Sequence, residues 1–227
     1  MKLVPARPTL LSCRQIDDVE ASLARAIGLD EHKHVSAGLV TCDQDDSLYV
    51  ALDEATKQAE VDVVYAKSFY AGAEHSSGPL SGEILGIIAG SDPQEVAEGL
   101  WALREAIKSI CFYTLEGQSD GPAFFPHVIS ETGRYLAPLA QIDTGEPLAY
   151  LIAPPIESVI GVDAALKHAD VRLCQWFGPP SETNFGGAYL TGALHDVQLA
   201  ASAFVEAIAS ICEAPLAALR RPERERY

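Results

Sequence analysis

Two segments of the chain occur twice, and this internal repeat constrains the fold more than any other feature. The run Asp53–Val61 (DEATKQAEV) aligns with Asp163–Val171 (DAALKHADV) at an offset of 110 residues. Further on, Arg104–Ile110 (REAIKSI) aligns with Val205–Ile211 (VEAIASI) at an offset of 101 residues. Because solenoid repeats have periods of about 20–50 residues, a repeat of this length indicates two copies of a whole domain.

The chain has 227 residues, which is enough for two domains of about 110 residues each. The repeat predicts a first domain at residues 1–110 and a second at residues 111–219. The final run at residues 220–227 (RRPERERY) is charged and contains a proline, so we expect a disordered tail there.

Both copies predict the same early elements. An apolar strand opens each copy and a second strand follows it: Ala37–Thr41 and Ser47–Leu52 in the first, Leu148–Ala153 and Ser158–Val162 in the second. Asp53 and Asp163 come next, at the position of a helix N-cap, which predicts a short helix after each. Two more strands follow in each copy: Val61–Tyr65 and Glu83–Gly90, then Val171–Phe177 and Gly187–Gly192.

A long helix closes each copy. In the first, Asp92 is a cap residue, Pro93 fits the first turn, and Glu95 stands three residues after the cap. Apolar residues then recur with the same 4-3-4-3 spacing in both copies: Val96, Leu100, Leu103, Ile107 and Ile110, and Val197, Ala201, Phe204, Ile208 and Ile211. The whole pattern predicts an α+β fold, with mixed or antiparallel sheets and helices on one face.

Charge and hydropathy exclude several partners. The formal net charge of −16 repels phosphate backbones and anionic membranes, so we expect neither nucleic acid nor membrane as a partner. No apolar run approaches the roughly 20 residues of a membrane helix. The five cysteines are scattered and odd in number, which favours reduced thiols in a cytoplasmic protein.

Two long loops are the places where function is expected. They span Tyr65–Gly82 and Trp176–Gly192, and both contain glycines and aromatic residues. Loops longer than about 12 residues in a compact domain are usually functional or disordered. Neither contains a phosphate-binding glycine motif or a nucleophile elbow.

Acidic residues offer a second candidate site with two interpretations. Asp43, Asp45 and Asp46 fall between two predicted strands, where they form either a polar hairpin turn or a carboxylate cluster that holds an amine or a metal. Glu83 either joins that cluster or occupies a strand edge. In a small-molecule-binding regulator this cluster would be the sensor, and in an enzyme it would supply acid–base or metal chemistry.

Other polar residues fit ordinary roles. Glu74 with His75, or His32 with His34, would contribute to a zinc site only if further ligands converged on them. Lys57 and Lys167 read as solvated helix residues. A lone histidine such as His127 is more often packed than catalytic.

The run DAALKHADV resembles the lysine-bearing helix of bacterial microcompartment shell domains. Together with YAKSFYAG (65–72) and PPSETN (179–184), it is similar to the tandem-domain shell proteins of ethanolamine-utilisation compartments, the EutL family. The similarity runs from about Ala37 to Gly192. It implies two circularly permuted shell domains per chain and no enzymatic activity. Three chains would form a pseudohexameric tile that assembles with other shell proteins in a cytoplasmic microcompartment.

The resemblance also implies site residues. The two long loops would ring a gated central pore and contribute Phe69, Tyr70, Ala71, Gly72, Glu74 and His75, and Glu182, Asn184, Phe185 and Gly186. A smaller pore between the two domains would bind ethanolamine through Asp45, Asp46, Glu83, Tyr113 and Thr183. Lys57 and Lys167 would lie at tile edges. No cofactor is expected, apart from a possible zinc ion at Glu74 and His75.

Overall fold

The computed structural model describes residues 2–69, 80, 82–117, 121–181 and 183–216. In chain order the elements are β1 (Leu3–Ala6), β2 (Leu10–Ile16), α1 (Ala21–Ala26), β3 (Ser36–Cys42), α2 (Asp45–Gln58), β4 (Asp62–Ser68), β5 (Ile84–Gly90), α3 (Pro93–Ala106), β6 (Phe112–Leu115), β7 (Phe125–Ile129), α4 (Leu136–Ala140), β8 (Leu148–Ala153), α5 (Pro155–His168), β9 (Val171–Phe177), β10 (Gly186–Gly192) and α6 (Leu194–Glu213). The tail predicted at 220–227 lies outside the described residues.

The two halves of the chain have the same topology. Each contains a four-stranded antiparallel sheet, with strand order β2-β3-β5-β4 in the first half and β7-β8-β10-β9 in the second. In both, the second strand leads into a 14-residue helix, α2 or α5, and the last strand in chain order leads into another helix, α3 with 14 residues or α6 with 20 residues. The duplication and the α+β fold inferred from the repeat are therefore confirmed.

A small third sheet lies outside this repeat. The N-terminal strand β1 pairs antiparallel with β6, from Leu3 opposite Leu115 to Ala6 opposite Phe112. The expected boundary at residues 110 and 111 falls just before β6 and stays a prediction. Among the described helices, none is long and apolar enough to cross a membrane.

The second strand predicted in each copy was wrong. Ser47–Leu52 lies inside α2 and Ser158–Val162 inside α5, so Asp53 and Asp163 occupy helix interiors rather than caps. The stretch from residue 45 to residue 53 is buried almost throughout, which hides the helical period. The start signals are acidic residues in the first turn of α2 and Pro155 at the start of α5.

The closing helices and the remaining strands were predicted correctly, except that α3 ends at Ala106, so Ile107 and Ile110 lie beyond it. Asp92 caps α3, since its carboxylate accepts the backbone N–H of Gln94 at 2.7 Å. Pro93 opens the helix, where its missing N–H is not needed. The apolar positions Val96 and Leu103, and their counterparts Val197 and Phe204, are buried.

The core is layered around the two sheets. In each half, the two long helices pack on one face of the sheet. We call the opposite face of each four-stranded sheet its outer face. The outer face of the first sheet is partly covered by Ala24 of α1 and by Val19, which precedes that helix. The outer face of the second sheet packs against α2 and α4, so Leu52 and Tyr150 belong to one hydrophobic cluster that joins the halves.

Candidate functional site

The two halves meet where α2 lies on the outer face of the second sheet. Asp53, fully buried in the middle of α2, accepts the backbone N–H groups of Gly133 (2.6 Å), Tyr135 (3.2 Å) and Leu136 (2.8 Å). These three groups precede or open α4, so the carboxylate binds the positive end of that helix. A side chain at Gly133 would collide with the Asp53 carbonyl, which keeps this approach close. The junction is therefore held by specific hydrogen bonds as well as by apolar packing.

A cavity of about 480 Å³ lies in this junction. Five aromatic rings and several polar groups line it. The lining residues are Asp46 and Tyr49 from α2, Ala66 from β4, Tyr135 and Leu139 at α4, Tyr150, Ile152, Gln175, Phe177 and Tyr189 from the second sheet, and Gly178, Ser181 and Thr183 from the following loop. The cavity thus belongs to both halves and is formed only when they pack together.

Polar contacts organise one wall of the cavity. The hydroxyl of Tyr150 donates a hydrogen bond to the carboxylate of Asp46. Burial, and then the negative charge of Asp46, raise the pKa of Tyr150 well above its usual value. Burial likewise raises the pKa of Tyr189, whose ring lies 4.6 Å from that of Tyr150. Both phenols therefore stay protonated, and the hydroxyl of Tyr150 is the one that donates to Asp46.

The hairpin-turn interpretation of Asp45 and Asp46 was wrong, because both lie buried in the first turn of α2. Glu83 lies close enough to this turn that its pKa is raised, first by burial and then by the negative charges of Asp45 and Asp43. Gly82 permits this placement: its φ is +66°, and a Cβ there would lie 2.3 Å from the Cys42 carbonyl oxygen. Glu83 is therefore near enough to Asp43 and Asp45 to be affected by their charge, and the role of these carboxylates in binding a cationic ligand stays a prediction.

The other two residues predicted for the small pore differ in position. Thr183 lines the cavity together with Asp46. Tyr113 lies on β6 beside Cys111, and burial, followed by its hydrogen bond with Cys111, raises its pKa. Its ligand-binding role stays a prediction.

Six of the predicted pore-loop residues lie outside the described residues: Tyr70, Ala71, Gly72, Glu74, His75 and Glu182. The others flank them. Phe69 is exposed and its N–H bonds the Glu83 carbonyl at 2.7 Å. Asn184 is exposed, while the ring of Phe185 lies 6.0 Å from that of Phe112. Gly186 begins β10 opposite Ala153.

The two predicted edge lysines have different surroundings. The Lys57 side chain is 20% exposed and contacts the carboxylates of Asp53, at 3.6 Å, and Glu54. The Lys167 side chain is 69% exposed and pairs with Asp163 at 2.7 Å. Lys57 is therefore part of the junction within the chain, whereas Lys167 is available to a neighbour.

The described residues contain no group of three or more His, Cys, Asp or Glu side chains that could hold a metal ion. His34 instead accepts the Asp30 N–H at 3.0 Å and lies 3.0 Å from the Asp62 carboxylate. His127 is packed as expected, stacked on Phe125. The proposed zinc ligands Glu74 and His75 lie outside the described part.

Sequence reasoning missed the cavity tyrosines: Tyr49, Tyr135, Tyr150 and Tyr189. Each looks like an ordinary core or strand residue in its own segment. One signal was available, since Tyr150 and Tyr189 interrupt otherwise aliphatic buried strands. A buried phenol usually finds a hydrogen-bond partner.

The fold consists of two tandem units, each with a four-stranded antiparallel sheet. This is the fold of a tandem-domain bacterial microcompartment shell protein. Residues 36–115, from β3 to β6, match the BMC domain. The microcompartment shell protein EutL of Clostridium perfringens (strain 13 / Type A) is 48% identical over 210 residues, which cover 92% of this chain and 96% of that protein. EutL of Escherichia coli (strain K12) is 44% identical over 210 residues, covering 92% and 95%.

A solved structure agrees with these sequences. The crystal structure of the ethanolamine utilization protein EutL from Leptotrichia buccalis C-1013-b superposes with a TM-score of 0.89 at 46% identity, covering 95% of this chain and 99% of that one. The chain belongs to the EutL family of bacterial microcompartment shell proteins.

Proposed function

We propose that three copies of this chain form a pseudohexameric shell tile with a gated central pore, in a microcompartment for ethanolamine utilisation, and that the chain has no catalytic activity of its own. The observation that carries the trimer is a difference between the equivalent helices α2 and α5. It concerns the helix face that joins the two halves within one chain.

In α2 this face is buried against the second half. Asp46, Val50, Asp53 and Thr56 are all nearly inaccessible. The repeat offset of 110 aligns these four with Ile156, Ile160, Asp163 and Leu166 of α5. There the same face is exposed: 64% for Ile156 and 44% for Ile160, against 1% for Val50.

An exposed apolar helix face of this kind marks an interaction surface. Its complement is present on the same chain, on the outer face of the first sheet. Leu39 pairs with Ile87 there as Tyr150 pairs with Tyr189 on the second sheet. Leu39 and Tyr65 remain half-buried in the single chain. A second copy that docked its α5 on this face would repeat the internal junction between chains.

Such a contact is heterologous, because two different surfaces meet, and it closes into a ring when the rotation allows. Each chain supplies two equivalent units, so three chains complete a ring of six. The long loops of all three chains would then gather around one axis. Phe69 and Phe185 flank those loops and are bulky enough to obstruct a narrow opening.

The buried acidic cluster supports the small-pore proposal. Asp46 lines the cavity between the halves, Asp45 precedes it in the first turn of α2, and the charge of Asp45 acts on Glu83. A small alkylammonium ion such as protonated ethanolamine would offset that charge and donate hydrogen bonds to the carboxylates. Zinc at Glu74 and His75 remains a separate proposal, tested by zinc titration of wild type and His75→Ala.

The trimer is tested with a substitution on the exposed face of α5. Ile160→Glu places a charge in the proposed interface without disturbing the core of the isolated chain. We expect light scattering to give trimers for wild type and monomers for the variant. Leu199→Glu, on the exposed part of α6, is the matched control and retains the trimer. A trimeric Ile160→Glu protein would contradict the proposal.

A further inference from the structure

In the proposed trimer, the junction between two chains would repeat the junction within one chain. The residues at the position of the cavity differ between these two junctions. We propose that Trp176 fills this position in the trimer, where its indole packs against the outer face of the neighbour's first sheet and leaves no cavity between chains. This inference rests on the trimer proposed above. It predicts three polar cavities per tile rather than six.

The repeat fixes which residues correspond. Ala66 pairs with Gly86 across strands β4 and β5, and Trp176 pairs with Ala188 across strands β9 and β10. Ala66 lines the cavity within the chain. Ala66 contributes a methyl group to the wall of the cavity within the chain. At the equivalent position between chains, Trp176 contributes an indole.

The wall formed by the helix is also less polar in α5 than in α2. Asp46 and Tyr49 line the cavity from α2. Their counterparts on α5 are Ile156 and Val159, both exposed in the single chain. No carboxylate or hydroxyl replaces the two polar groups at these positions.

On the opposite wall, supplied by the neighbour, two hydroxyl groups are replaced by aliphatic side chains, while Thr41 and Lys67 stand at the positions equivalent to Ile152 and Phe177. The cavity within the chain is bounded there by Tyr150 and Tyr189, both with hydroxyl groups. The corresponding residues of the first sheet are Leu39 and Ile87. An indole packed against Leu39 and Ile87 of the neighbour buries apolar surface and occupies the space that the cavity has within the chain. Trp176 is 41% exposed in the single chain, so this burial requires the partner.

Tryptophan fluorescence tests this directly, because the chain has two tryptophans. In the Trp101→Phe variant, emission reports Trp176 alone. We expect acrylamide to quench it about threefold less in the trimer than in the same variant carrying Ile160→Glu, since interface centres exclude solvent. The Trp176→Phe variant reports Trp101, which is exposed on α3 and stays quenchable in both states.

The outcomes separate the two proposals. Trimers in which Trp176 remains as accessible as in the monomer overturn this inference and leave the tile intact. Absence of any trimer overturns both. As a second measurement, Trp176→Ala raises the trimer dissociation constant about tenfold or more if the indole lies at the interface centre, whereas Trp101→Ala leaves it unchanged. Equal constants for the two variants contradict the inference.

Discussion

The carboxylate of Asp53 accepts the backbone N–H of Leu136 at 2.8 Å, although 83 positions separate the two residues in the chain. Gly133 and Tyr135 donate to the same carboxylate. One fully buried side chain of the first half therefore satisfies three backbone donors of the second. Those donors would otherwise be unpaired in the junction, so this contact fixes how the halves pack.

Replacing Asp53 with Asn should destabilise the protomer by about 2–4 kcal/mol, because an amide cannot accept all three hydrogen bonds and leaves a buried donor unsatisfied. Urea unfolding at a concentration where the protein is monomeric measures the loss. Asp163→Asn is the matched control, since this equivalent carboxylate is exposed in the single chain. The control should change stability by less than about 0.5 kcal/mol. Equal effects would contradict the role given to Asp53.

His127 should make the protein acid-sensitive. Burial, and then the charge of Lys57, lower the pKa of His127 from 6.5 to about 4. The unfolded chain therefore binds more protons than the folded one in this window, and stability falls as the pH drops from about 6.5 to 4. The full effect is roughly 3 kcal/mol.

His127→Gln cannot titrate, so its stability should decline less between pH 7 and pH 4 than that of wild type. His195→Gln, at an exposed position, should follow the wild-type curve. Denaturant unfolding at several pH values measures both. Parallel curves for wild type and His127→Gln would exclude a buried neutral imidazole.

Glu83 should cost stability when it is ionised. Its raised pKa means that the folded state binds the proton more tightly, so its unfavourable contribution grows as the pH rises through and above the ordinary range of a glutamate. Glu83→Gln should stabilise the protein at pH 7 by about 0.5 kcal/mol, after allowance for solvent screening. The gain should vanish near pH 4. Glu206→Gln, at an exposed position, should show no gain.

The same substitution should weaken amine binding. Calorimetric titration with ethanolamine should give an affinity about tenfold lower for Glu83→Gln than for wild type, since one charge-assisted hydrogen bond is lost. A protein that becomes more stable but binds less is the expected signature of a ligand site. Unchanged affinity would remove Glu83 from that site.

Lys167 is the cleaner test of tile edges. Lys167→Glu should leave trimers intact but abolish two-dimensional arrays in electron microscopy, because the exposed cation is replaced by an anion. Lys57→Glu would also place a charge beside buried Asp53 and destabilise the protomer, so it does not separate the two effects. Lys33→Glu serves as an exposed control. Arrays that persist in Lys167→Glu contradict the edge assignment.

Much of the fold could be predicted from the sequence because the two copies of the repeat give independent predictions of the same elements. Asp92 and Pro93 mark a helix start that needs no tertiary information. Helix α2 was misread because its residues are buried on nearly every side, so that Leu48 and Val50 carry no helical period. The second half supplies that burial, and no local pattern reveals it.

The site was predicted only in part for a related reason. Asp45, Asp46 and Glu83 are unusual where they stand; Asp46 does line the cavity, and the charge of Asp45 does act on Glu83. Tyr150 becomes a cavity residue only through its contact with Asp46, 104 positions away. Propensity and spacing describe neighbours along the chain, whereas the cavity is a property of how two halves meet.

Carrying both units on one polypeptide has an evolutionary consequence. In a ring of six identical chains, any substitution at one junction appears at all six. Here the gene encodes two versions of each surface, and a mutation at Ala66 leaves Trp176 untouched. In the proposed trimer, selection would therefore act separately on the junction within each chain and on the junction between chains, so that one could become permeable and the other impermeable.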